Sequence, residues 1–152
     1  MLEGKNLYLL SSGTGLAPFM SIIKDPWMYD DYEKIVLVHS VREISDLAYR
    51  EEIEDLKNNE YFGDVVKEKL VYHPVVTRER LEGYSDAHHA RITELLQFGF
   101  ISNLNPQEDR FMICGNNDMI NDITLLLDQH GFQKATSRTK GHYVIEQAFI
   151  ER

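Results

Sequence analysis

Leu7-Tyr8-Leu9-Leu10-Ser11-Ser12-Gly13-Thr14-Gly15-Leu16-Ala17-Pro18 joins an apolar run to a glycine pair and then to a proline. That succession predicts a buried strand over 7–11, a tight turn, and a helix over 16–24 whose first turn accepts proline because the missing N–H has no partner there anyway. Glycine permits positive φ and close backbone approach, so the Gly13-Thr14-Gly15 step can lie against an anion while the helix behind it offers unpaired N–H groups. The same step also serves a ligand-free strand-to-helix turn. The chain has no full GxGxxG, and the turn by itself leaves both readings open.

Working outward, apolar runs rich in β-branched and aromatic residues recur at 35–41, 70–77 and 110–114, with a last one at 144–149. Amphipathic stretches at 45–58, 92–98 and 119–130 separate them. In the first of these, Leu47, Ile53 and Leu56 recur near helical spacing and Ser45 is placed as N-cap; Gly131 stands where a C-cap glycine belongs. Strands alternating with helices predict an α/β fold, a doubly wound parallel sheet of about five strands with helices on both faces, in one domain spanning 1–152. Residues 25–33 and 79–90 read as irregular, and the second is long enough for a binding loop.

In such a sheet, ligands lie outside the carboxyl ends of the strands, where strand order reverses. The residues following the strands are Ser12 to Pro18, then His39-Ser40-Val41-Arg42, then Thr77-Arg78, then Cys114-Gly115-Asn116. Arg42, Arg78 and Arg91 can make paired charge-assisted hydrogen bonds to phosphate, although a single arginine is more often a solvated surface group. Glu43 directly follows Arg42, and the sequence does not settle which of the two faces inward. Cys114 either brings a thiol close to a planar ligand ring or is a buried cysteine ending a core strand. His88 and His89 are adjacent in a loop with no cysteine nearby, which predicts exposed loop histidines and no metal site.

Composition narrows the classes further. A formal net charge of -9 argues against nucleic-acid binding, which requires a basic face. One cysteine excludes an intramolecular disulfide, a CxxC redox centre and a cysteine-rich zinc cluster. No apolar run approaches the roughly 20 residues that span a bilayer, and the first residues lack a basic segment followed by a long apolar core, so a cytoplasmic protein with no membrane association is expected.

Taken in order, the blocks Leu9-Leu10-Ser11-Ser12-Gly13-Thr14-Gly15-Leu16-Ala17-Pro18-Phe19, Val36-Leu37-Val38-His39-Ser40-Val41-Arg42, Val76-Thr77-Arg78-Glu79, Met112-Ile113-Cys114-Gly115 and Tyr143-Val144-Ile145-Glu146-Gln147-Ala148-Phe149 closely resemble bacterial ferredoxin(flavodoxin)-NADP(+) reductases. The resemblance covers essentially the whole chain, and the tail resembles the bacterial subclass rather than the plastid enzymes, which end in tyrosine. It implies an NADP(H)-binding domain in which Thr14 and Gly15 lie by the pyrophosphate and nicotinamide ribose. Arg78 and Arg91 would hold the 2'-phosphate, and Arg42 would assist near the adenosine phosphates. Cys114 and Phe149 would be the catalytic-site residues, beside the hydride-transfer position and the flavin. Gly13, Ala17, Pro18, His39, Thr77, Gly115 and Asn116 complete the expected cofactor contacts. In this family NADPH gives hydride to FAD, whose electrons leave singly to ferredoxin or flavodoxin.

Two departures stand out. The family's FAD-binding β-barrel, with its Arg-x-Tyr-Ser/Thr signature, is expected upstream and is absent from residues 1–152, so FAD and turnover are expected only with that domain. Ala90-Arg91 stands where the family often has Gly-Arg. The alternatives are the nucleotide domain of an NADH-dependent flavin reductase, separated by its NAD(+) preference, and a non-catalytic nucleotide-binding or docking module, separated by the coding sequence upstream.

Overall fold

The computed structural model describes residues 1–99 and 101–146, with Thr14 described by its backbone alone. Five strands, β1 (Asn6–Ser12), β2 (Lys34–Val41), β3 (Leu70–Val76), β4 (Asp109–Cys114) and β5 (Tyr143–Ile145), form one sheet in the order β3-β2-β1-β4-β5. Every pairing is parallel. The order reverses between β1 and β4, and the register pairs Ser12 with Ser40 on one side and Ser11 with Cys114 on the other.

Period-two alternation along β1 divides the core. Leu7 and Leu9 join Ile35 and Leu37 under α1 (Ala17–Ile23), α2 (Met28–Asp31), α3 (Arg50–Asp55) and α4 (Gly63–Lys69), which contribute Phe19, Tyr29, Ile53 and Val66. Tyr8 and Leu10 join Val36 and Val38 on the opposite face, covered by Leu95 of α5 (Ile92–Gln97) and by Ile123 and Leu127 of α6 (Asn117–Gln129). Both faces of the central strands are dry, which is why these strands read as unbroken apolar runs.

The doubly wound expectation therefore holds, with corrections in detail. The helix expected over 45–58 is broken. A 3₁₀ turn at Ile44–Asp46 is capped reciprocally by Glu43 and Asp46 rather than by Ser45, and α3 starts only after Tyr49, which takes a left-handed conformation (φ 64°). The helices α2 and α4 fall where none was predicted. Gly131 does follow α6 with positive φ, and its N–H bonds the Asp128 carbonyl. The last strand begins at Tyr143, and residues 147–149 of the expected run lie outside the described residues.

The histidines of the 79–90 loop are not exposed. His88 Nδ1 donates to the Pro74 carbonyl (2.7 Å), His89 Nδ1 to the Val76 carbonyl (3.0 Å), and His73 Nε2 returns a bond to the Ala87 carbonyl (2.7 Å). The His73 and His88 rings stack with centroids 4.0 Å apart. β3 is an edge strand, where Pro74 is tolerated, and this loop pins itself over its open backbone.

Candidate functional site

At the carboxyl ends of the strands, two cavities open side by side. The first, of about 830 Å³, is lined by Ser12, Ser40, Arg42, Thr77 and Arg91 on the sheet side and by Asp118, Asn121 and Asp122 of α6 opposite. The second, of about 600 Å³, lies between Gly13, Leu16 and Ala17 on one wall and Asp46, Ala48 and Tyr49 on the other. Val41, Arg42 and Asn116 line both, so the two compartments adjoin through these three residues.

Glycine is required where the turns after β1 and β4 meet. A Cβ on Gly15 would stand 2.4 Å from the Cys114 carbonyl oxygen, and one on Gly115 would stand 2.2 Å from Ser12 Oγ. Gly13 has φ 51°, in the region that favours glycine, and its Cβ position faces open space. The Ser12 hydroxyl accepts from the Asn116 N–H (3.3 Å), while Asn116 Oδ1 accepts from Met119 N–H (2.9 Å) and caps α6. Asn116 thus lines both cavities with its amide oxygen already used by the helix.

The arginines follow adjacent strands. Arg78 N–H bonds the Arg42 carbonyl (2.9 Å), and Thr77 N–H bonds the Val41 carbonyl (3.0 Å), which extends the β2–β3 pairing past its last residues. Among the described residues, no side-chain hydrogen bond or ion pair engages the Arg42, Arg78 or Arg91 guanidinium. Glu43, whose rivalry with Arg42 the sequence left open, lines neither cavity, whereas Arg42 lines both. Arg91, the residue before α5, reaches the same cavity as Arg42; Arg78 is exposed beside them without lining it.

Two expected contacts turn inward. His39 is fully buried, and its Nε2 donates to the Gly13 carbonyl (2.8 Å), so it supports the glycine turn from beneath rather than touching the cavity. Burial holds this imidazole below its ordinary pKa, opposed by the Gly13 carbonyl and the Asp46 charge. The Cys114 side chain is fully buried in the apolar cluster with Leu16, Phe19 and Leu37. The side chain alternates onto the α1 face of the sheet and lines neither cavity, as the packing reading of Cys114 expects. Gly15, Pro18 and Gly115 shape the turns without lining either cavity, and Phe149 lies outside the described residues.

The carboxylate wall of α6 escaped sequence reading. Asp118 and Asp122 are four residues apart and share a helix face; that spacing, just after the Cys114-Gly115 turn, was the available signal. Among the described residues, no group of three or more histidine, cysteine or acidic side chains is arranged to hold a metal ion. No helix among them is long and apolar enough to cross a membrane.

A parallel doubly wound sheet with a glycine turn at its switch point and unpaired arginines along the same carboxyl rim has the arrangement of a nucleotide-binding domain. The chain belongs to the oxidoreductase NAD-binding domain family, whose model matches residues 9–124. Among its relatives, the ferredoxin--NADP reductase of Azotobacter vinelandii is 45% identical over 160 aligned positions, which cover 100% of this chain and 60% of that protein. That of Pseudomonas aeruginosa is 46% identical with the same coverage. The chain thus spans about 60% of the length of these relatives. The crystal structure of a Neisseria gonorrhoeae ferredoxin NADP+ reductase with bound FAD and NADP superposes with a TM-score of 0.79 at 30% identity, covering 97% of this chain and 57% of that one.

Proposed function

We propose that this chain binds NADP(H) and is the pyridine-nucleotide half of a ferredoxin- or flavodoxin-NADP(+) reductase. The observation that carries the reading is the pair of adjoining cavities sharing Arg42 and Asn116 across the β1–β4 switch point. A dinucleotide is two nucleosides joined by a pyrophosphate, and it fits two compartments meeting at a cation. Arg42 and Arg91 are uncommitted donors for the 2'-phosphate, with Arg78 within the same cluster, while Glu43 is withdrawn from the place where an NAD site sets a carboxylate against the ribose. The turn containing Gly13, Thr14 and Gly15 supports the remainder of the ligand, with Ala17 on the wall of the second cavity.

When bound, NADP(H) carries a hydride, and the relatives' name pairs NADP with ferredoxin as the two redox partners. The residues of this chain select the phosphate, orient the dinucleotide along the rim and hold its two ends apart. The flavin belongs to further sequence of the kind that makes up the rest of the relatives, and a flavin-bearing domain would place its ring at the second cavity. Ferredoxin or flavodoxin as electron partner and a cytoplasmic location are parts of the same proposal.

Absorption spectra and NADPH-dependent ferricyanide reduction test this division of labour. The 152-residue chain should purify without a flavin band and reduce no dye, whereas the same residues joined to a relative's flavin domain should show both. A flavin band in the chain alone contradicts the assignment.

A further inference from the structure

His39 is fully buried at the carboxyl end of β2, beside Ser11 in the register with β1. Its Nε2 donates to the Gly13 carbonyl at 2.8 Å, while its Nδ1 is buried without a hydrogen-bond partner among the described residues. A phenylalanine would fill this space and leave no buried nitrogen unsatisfied, so packing alone does not account for an imidazole. What the imidazole adds is the bond to Gly13. On its other side Gly13 is open, since a Cβ there would meet nothing within 4 Å, and the turn lines the second cavity through Gly13, Leu16 and Ala17. The His39 bond is thus the inward tether of a turn whose outward side is free.

We infer that His39 is a positioning residue for the dinucleotide: its N–H, seated on the Gly13 carbonyl, fixes the glycine turn against which the pyrophosphate side of the ligand lies. This rests on the nucleotide reading above. Arg91, at the start of α5, lines only the first cavity, and Arg42, which lines both, has its carbonyl held by the Arg78 N–H, so neither guanidinium is placed by the His39 bond. Loss of the tether weakens a ligand that spans both cavities and leaves a fragment confined to the arginines unaffected. The buried environment keeps His39 neutral, and the Gly13 carbonyl selects the tautomer with the proton on Nε2.

The test uses the 152-residue chain, His39→Phe and His39→Gln, the latter because a glutamine Nε2 can donate from nearly the same place. Each is titrated with NADP(+) and with adenosine 2'-monophosphate, which lacks the pyrophosphate, and amide exchange is followed at residues 13–16 with β4 as internal reference. His39→Phe should lose about tenfold in NADP(+) affinity, hold the monophosphate within about twofold, and exchange faster at 13–16 only; His39→Gln should restore both readouts. Equal weakening toward both ligands, or unchanged exchange at 13–16, overturns the inference. If His39→Phe does not fold, His39→Leu, which also lacks a donor, takes its place with the same supporting and overturning results. A parent chain that binds neither ligand defeats the proposed function, and the exchange data then decide the tether separately.

Discussion

The two ends of this sheet use charge in opposite ways. At the amino end, Arg110 is buried and its guanidinium donates to the carbonyls of Leu2, Glu3, Pro106 and Asp109, tying the first residues and the 105–108 turn to β4. Beside it the buried Asp109 carboxylate accepts from Asn6 Nδ2, Ser102 Oγ and Asn105 N–H. At the carboxyl end, Arg42, Arg78 and Arg91 are exposed, and among the described residues their guanidinium groups engage no partner. A buried polar group whose bonds are all made inside the chain contributes to stability. One whose bonds are open to a cleft contributes to binding. The same residue type is structural at one end and available at the other, and the distinction rests on burial and satisfied hydrogen bonds rather than on charge.

The sharpest way to break this contrast is to remove an arginine from each end. Arg110→Ala leaves four carbonyls without their shared donor and should lower stability by about 3 kcal/mol in urea unfolding, with NADP(+) affinity per folded molecule unchanged. The paired change Arg42→Ala and Arg91→Ala should do the reverse. Affinity for NADP(+) falls by about 2 kcal/mol or more in calorimetry, while unfolding shifts by no more than about 0.5 kcal/mol. Cys114→Ala sits between the two ends in effect, because the thiol fills core space under α1. About 1 kcal/mol of stability is lost in thermal unfolding, and nucleotide affinity stays at the parental value.

The smallest expected effect is on pH dependence. Burial lowers the pKa values of His39, His73 and His142 in the folded chain. The unfolded state, with values near 6.5, then binds more protons than the native state at mildly acidic pH. Their contribution to stability is therefore present above about pH 6.5 and declines as pH falls below it. Melting temperatures recorded between pH 7.5 and 5.5 should fall toward acid, and His39→Gln or His73→Gln should flatten that fall.

Much of this arrangement was legible in the sequence, for physical reasons that also explain the omissions. β1, β2 and β4 lie dry on both faces and announce themselves as apolar runs. Arg42 and Arg78 could be placed on the rim because each follows a predicted strand, and Arg78 lies there exposed without lining either cavity. The break at Tyr49 was not legible, since nothing in tyrosine's chemistry signals a left-handed residue, and the single helix expected over 45–58 came apart there. The seven residues of α4 pass directly into β3 and are too short for periodicity to register. Position at a strand end placed His39 among the expected contacts and left Cys114 open between a ligand-facing and a core role. Which way a side chain turns depends on strand phase, and only the assembled sheet fixes that.

Comparing NADP(+) with NAD(+) binding to the unaltered 152-residue chain tests the central claim most directly, because the two ligands differ only in the phosphate assigned to the arginine cluster. The account predicts NADP(+) tighter by about tenfold or more in calorimetric titration, with the difference shrinking as salt is raised. Equal affinities, or a preference for NAD(+), would contradict it.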